Sequence, residues 1–129
     1  MDSLERIDGK VKWVLNNRAF VLAEMGEFEK ALPEALLAVK TPPEEPGSWD
    51  TLGYVYVGLG KDEDAIEAYD KALAYKVKPN YLWGRAVALR RLGRTEAAHA
   101  DFQKALEIQP GFSLHWQLDP DPGVYDEND

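Results

Sequence analysis

Small and apolar residues return along this chain at one long interval. Three segments align in register: "LNNRAFVLAEMGEFEKALPEALLAVKTPP", "WDTLGYVYVGLGKDEDAIEAYDKALAYKV" and "LWGRAVALRRLGRTEAAHADFQKALEIQP". Gly26, Gly60 and Gly93 fall in step, as do Ala31, Ala65 and Ala98, and then Ala38, Ala72 and Ala105. Gly26 to Gly60 spans 34 positions and Gly60 to Gly93 spans 33. A period of this length predicts stacked helical pairs, each of which buries its apolar face only against its neighbours. One stretch disagrees locally. Within "SWDTLGYVYVGLG", the run "YVYV" has the composition of a strand. The repeat places it in a helix, and the repeat is the stronger signal.

The middle segment carries Trp49, Leu52, Gly53, Tyr56, Ala65, Tyr69 and Ala72, with Val77 where a closing proline would stand. The third carries Leu82, Ala86, Leu89, Ala98, Phe102, Ala105 and Pro110. The first carries Leu15, Ala19, Leu22, Ala31, Ala35, Ala38 and Pro43. This pattern resembles the tetratricopeptide repeat family. The resemblance implies an all-α fold, an α-α superhelix (solenoid) of three helix-turn-helix TPR units. The repeats would run from about 12–45, 46–78 and 79–111, and a short C-terminal capping segment would follow at 112–118. Together they make one TPR domain, 1–118. Residues 119–129 are expected to be an acidic, disordered tail.

Each unit would pair a helix A with a helix B. Gly53, Ala19 and Ala86 are expected where the helices cross closely. Gly26, Gly60 and Gly93 should end the A helices in the left-handed conformation. Asp62 and Thr95 are candidate N-caps of B helices. Ser48, Asn80 and Ser113 are candidates for the A helices and for the capping segment. Pro33 falls inside the first B helix and should bend it on the solvent side. Gly58 is expected to be a small residue on the inner side.

Composition narrows the function more than the fold. With 129 residues and 45% hydrophobic content, one domain with a real core is expected. The chain has no cysteine, which excludes a disulfide scaffold and a thiolate site. No apolar leader or membrane-length run is present, so we expect a soluble, cytoplasmic protein without membrane insertion. The net charge of −8 argues against nucleic acid as a partner. The charge is uneven. Asp119, Asp121, Asp126, Glu127 and Asp129 crowd the tail, whereas Lys76 to Thr95 contains basic residues and no acid. An acidic partner, or the tail itself, could meet that basic block.

No catalytic constellation is present. His99 is expected half-buried between helices, and His115 has no spaced ligand partner. The glycines of "YVYVGLGKDED" do not continue into a phosphate-binding loop. The acids of "KDEDAIE" suit the start of a helix better than a calcium loop. We therefore expect no enzyme, cofactor or metal.

What remains is a surface. The resemblance implies that the A helices line a concave groove. By position, that groove would hold Trp13, Asn16, Asn17, Phe20 and Glu24, then Asp50, Thr51, Tyr54 and Val57, then Asn80, Trp83, Val87, Arg90 and Arg91. Aromatic anchors with amides and arginines form the vocabulary of peptide recognition. The Lys and Asn clamp by which some relatives hold a C-terminal carboxylate is not matched at Asn16, Phe20, Thr51, Asn80 and Gly84. The expected function is a non-catalytic protein-protein interaction module that binds a peptide segment of a partner. The alternative is a self-assembling scaffold whose groove takes up the end or acidic tail of another copy. In that case Trp13 and Phe20 could belong to a self-association face.

Overall fold

The structure is a computed structural model; it describes residues 3–112, with side chains from residue 9 onwards. These residues form six α-helices and no strand: α1 (Ser3–Glu24), α2 (Phe28–Lys40), α3 (Pro46–Gly58), α4 (Asp62–Tyr75), α5 (Pro79–Arg91) and α6 (Thr95–Ile108). Each odd helix pairs with the even helix that follows, and α2 and α4 also pack on the next odd helix. The result is the expected stack of three helical pairs. "YVYV" lies within α3.

The turn glycines do what the repeat requires. Gly26, Gly60 and Gly93 have φ of 80°, 74° and 80°. Each turn closes with the same pair of bonds. The Glu27, Lys61 and Arg94 N–H groups donate back to the Leu22, Tyr56 and Leu89 carbonyls at 2.8, 2.8 and 2.9 Å, beside the glycine's own bond. This is the Schellman closure, and it satisfies carbonyls left free at a helix end.

The expected N-caps are corrected. Asp62 and Thr95 are the first residues inside α4 and α6, and the cap positions are Lys61 and Arg94. Ser48 and Asn80 lie inside α3 and α5, which start at Pro46 and Pro79 after extended Glu45 and Lys78. Proline at the first helical position fixes φ for the helix and lacks only an N–H that would have no partner there. Ser48 instead donates from Oγ to the Glu45 carbonyl at 2.9 Å. Pro33 sits on the exposed side of α2, which continues through it to Lys40.

The core is built from small residues facing large ones. Ala19, Ala31, Ala65, Ala86, Ala98 and Ala105 are all essentially inaccessible. Tyr69 is the central large residue. Its ring fills the space left by two glycines: a Cβ on Gly53 would lie 2.7 Å from it, and a Cβ on Gly84 would lie 2.3 Å away. Gly58 has a similar task. A Cβ there would come within 2.2 Å of the Phe28 ring, so this glycine is a slot for an α2 side chain.

Two features went unread in the sequence. Lys12 of α1 is buried and donates from Nζ to the Ala38 and Thr41 carbonyls at the end of α2. Its cation lies at the negative end of that helix, although loss of water lowers its pKa. The second feature is the length of α1, 22 residues against 13 in α3 and α5, because it starts at Ser3 and not near residue 12. Of the proposed cap, only Phe112 is described. It packs edge-on against Trp83 at 5.6 Å. Ser113, His115, the remainder of the cap and residues 119–129 lie outside the described residues.

Candidate peptide-binding groove

The inner residues of the A helices divide by helix. On α1, Trp13 is 66% exposed and Phe20 40%, with Asn17 exposed between them. Spacings of four and three residues put all three on one face of the helix. Asn16 turns further inward, and its Oδ1 is buried without a hydrogen-bond partner.

The middle and third helices are more closed than the repeat pattern suggests. Tyr54 is only 6% exposed. It is held between Phe20 and Phe28, with ring centroids 6.2 and 5.9 Å away. Its hydroxyl bonds to Glu24, and burial with that acid nearby pushes its pKa well up. Thr51 and Val57 are likewise buried, and Thr51 donates from Oγ1 to the Gly47 carbonyl at 3.2 Å. Trp83 and Val87 are buried too, and Trp83 meets Phe102 edge-on at 4.7 Å. Tyr54, Trp83 and Val87 are thus floor, not exposed anchors. Phe20 of α1 and Phe28 of α2 cover Tyr54, and Phe102 of α6 and Phe112 beyond it cover Trp83.

Asp50 and Asn80 link α3 to α5. Asn80 Nδ2 donates to Asp50 Oδ2 at 3.2 Å. Burial pushes the Asp50 carboxyl up to about 7, against the opposing effects of Asn80 and Lys78. Tyr69 and Tyr81 both sense its charge. The Tyr69 hydroxyl is buried without a hydrogen-bond partner.

The basic block of the third unit is engaged internally. Arg85 donates from Nε and Nη2 to Asp101 at 2.7 and 2.9 Å, and from Nη1 to Asp70 at 2.8 Å. Those carboxylates hold its pKa above the usual value. Arg91 donates to the Val57 carbonyl at 3.0 Å and lies 3.5 Å from Asp62. Arg94 pairs with Glu63, and Arg90 lies 5.7 Å over the Phe102 ring. The acids come mostly from the preceding B helix, so sequence-separated charges neutralise each other across repeats. The positive field offered to an acidic partner or tail is correspondingly small.

A depression of about 400 Å³ lies on the opposite face. Leu36 and Val39 of α2, Trp49, Leu52 and Tyr56 of α3, and Ala68 and Lys71 of α4 line it. Lys71 stands 5.6 Å over the Trp49 ring. Trp49 and Tyr56 are therefore repeat residues that pack in part and line this hollow in part. Apolar residues at repeat positions were their only sequence signal.

A family model described as a tetratricopeptide repeat matches residues 51–111. The chain belongs to the tetratricopeptide repeat family. Its fold is that of a protein-interaction module. It is 39% identical, over 71 residues, to a tetratricopeptide repeat and J domain-containing co-chaperone of Fusarium oxysporum, a match covering 53% of this chain and 13% of that protein. It is 32% identical over 99 residues to Protein FlbA of Caulobacter vibrioides, covering 74% of this chain and 16% of FlbA. The TPR match thus spans a small fraction of these longer relatives.

Two solved structures share the fold. PcrH, in complex with the chaperone binding region of PopB, superposes with a TM-score of 0.74 at 18% identity, covering 90% of this chain and 94% of PcrH. A TPR-like protein of Chlorobium tepidum gives a TM-score of 0.73 at 21% identity, covering 94% and 93%. Among the described residues of this TPR protein, no helix is long and apolar enough to cross a membrane.

Proposed function

We propose that this TPR domain is a non-catalytic interaction module whose concave face takes up a peptide segment of a protein partner. The observation that carries the reading is the inner face of α1, where Trp13 and Phe20 stay exposed on either side of Asn17. Two rings and an amide on a rigid helix can anchor apolar side chains and fix the register of a backbone. The Asp50–Asn80 pair adds polar groups between α3 and α5. PcrH, which has this fold, was solved with a binding region of its partner, and that agrees with the reading.

The geometry shifts the preferred peptide away from a strongly acidic one. Arg85, Arg91 and Arg94 already hold carboxylates, while Asp50 and Glu24 lie toward the groove. An apolar peptide with amide or basic hydrogen-bond donors fits better. The test is selection of displayed peptides on the wild-type domain, followed by affinity measurement with Phe20→Ala and Trp13→Ala. Loss of tenfold or more in both variants, with helicity unchanged, supports the groove. Unchanged affinity in both rejects it.

A further inference from the structure

The first helix carries a second face that groove binding does not use. Val11, Val14, Val21 and Met25 are 44%, 44%, 54% and 66% exposed. With Arg18 they follow one another at intervals of three, four, three and four residues. In sequence the same spacing extends back to Leu4 and Ile7. This is the spacing of a two-stranded coiled-coil seam, and it lies on a different side of α1 from Trp13 and Phe20.

The repeat explains why the face is open. The positions equivalent to Val14, Arg18 and Val21 are Ser48, Leu52 and Val55 in α3, and all three are buried where α2 packs. In α5 they are Tyr81, Arg85 and Ala88. Tyr81 and Ala88 are buried, and Arg85 holds Asp70 of α4. Arg18 holds Glu34, at the repeat position of Asp101, at 2.9 Å. Each later A helix thus receives a preceding B helix on this face, and α1 does not. The helix itself also starts earlier than its own repeat needs, at Ser3.

We infer that this stripe pairs with α1 of a second copy, antiparallel, about a two-fold axis. Two arguments favour that occupant. First, the stripe complements itself. Placing Val11 opposite Val21 of the second copy and Val14 opposite Arg18 sets Lys10 against Glu24, twice by symmetry. Glu24 also accepts the Tyr54 hydroxyl and retains capacity for a second donor. Parallel pairing would set Arg18 against Arg18 in one layer. Second, the area is sufficient. A 22-residue helix is about 33 Å long, and pairing two buries on the order of 1,000 Å², the lower end of specific interfaces. A reversible dimer follows, with both grooves left open.

The absence of cysteine makes the test clean. Sedimentation over a wide concentration range should show a monomer–dimer equilibrium. Val14→Glu with Val21→Glu should weaken it by at least tenfold without loss of helicity, because both sites are exposed. Under oxidation, a mixture of Val11→Cys and Val21→Cys proteins should cross-link. Neither protein should link to itself, since like positions lie about 15 Å out of register along the helix. A monomer at every concentration overturns the inference. So does a dimer that survives the double glutamate variant, or efficient self-linking of Val11→Cys, which would mean parallel pairing. Peptide affinity in the double glutamate variant should stay at the wild-type level.

Discussion

Replacing Gly84 with alanine isolates the role of the glycine slot around Tyr69. In an open helix, this change would stabilise the protein by about 1 kcal/mol, because alanine restricts the unfolded chain and favours helix. Here the new Cβ would sit 2.3 Å from Tyr69 Cζ and 2.5 Å from its hydroxyl oxygen. Tyr69 is wholly buried, and Gly53 bounds its ring on the other side, so the ring has nowhere to retreat. Overpacking of this kind typically costs about 1–3 kcal/mol. Because the ring cannot retreat, the upper part of that range applies, about 2–3 kcal/mol, and subtracting the helix gain leaves a net loss of roughly 1–2 kcal/mol. At about 3–6 °C per kcal/mol for a chain of this size, the melting temperature should fall by roughly 3–12 °C. Gly47 is the internal control, since a Cβ there meets nothing within 4 Å. Gly47→Ala should leave stability unchanged or raise it. Thermal and denaturant unfolding followed by circular dichroism reads both. If Gly84→Ala is as stable as wild type while Gly47→Ala behaves as expected, the account of the Tyr69 slot is wrong.

Three further outcomes follow. Tyr69→Phe removes a hydroxyl that is buried without a partner, so stability should be unchanged or slightly raised, and combined with Gly84→Ala it should recover part of the lost stability in a double-mutant cycle. Asp50 has its carboxyl raised from 3.8 to about 7. The unfolded chain therefore ionises first as pH rises, and the folded state loses stability between about pH 4 and 7. Asp50→Asn should flatten that decline, which is worth at most a few times about 1.4 kcal/mol; unfolding free energies at pH 5 and 8 measure it. Lys12→Met strips the donor from the Ala38 and Thr41 carbonyls and should cost about 1–3 kcal/mol in chemical denaturation.

Much of this fold was legible because the repeat is written in small residues. An alanine or glycine at a fixed interval is informative: only small side chains let helices cross there, and only glycine turns the chain at φ near 80°. The N-caps were less legible. Polar residues near a helix start suggested caps, but Pro46 and Pro79 begin the helices and leave Ser48 and Asn80 inside. At the groove, repeat position assigned Tyr54, Trp83 and Val87 to the inner side of the A helices. It could not show that Phe20, Phe28 and Phe102 from neighbouring helices, and Phe112 beyond α6, cover two of those side chains. Arg91 and Arg94 looked like a free basic block because their partners, Asp62 and Glu63, lie some thirty positions earlier. Lys12 gave no signal, since the carbonyls it holds belong to no side-chain pattern.

The central claim is that partners bind on the concave side. It is tested most directly by nuclear magnetic resonance titration of the labelled domain with a peptide selected on it. The account predicts shifts at Trp13, Asn17, Phe20 and Asn80 that saturate together, with Leu36, Val39 and Lys71 unmoved. Saturable shifts confined to Leu36, Val39, Trp49 and Lys71 would place binding in the hollow on the opposite face and contradict it.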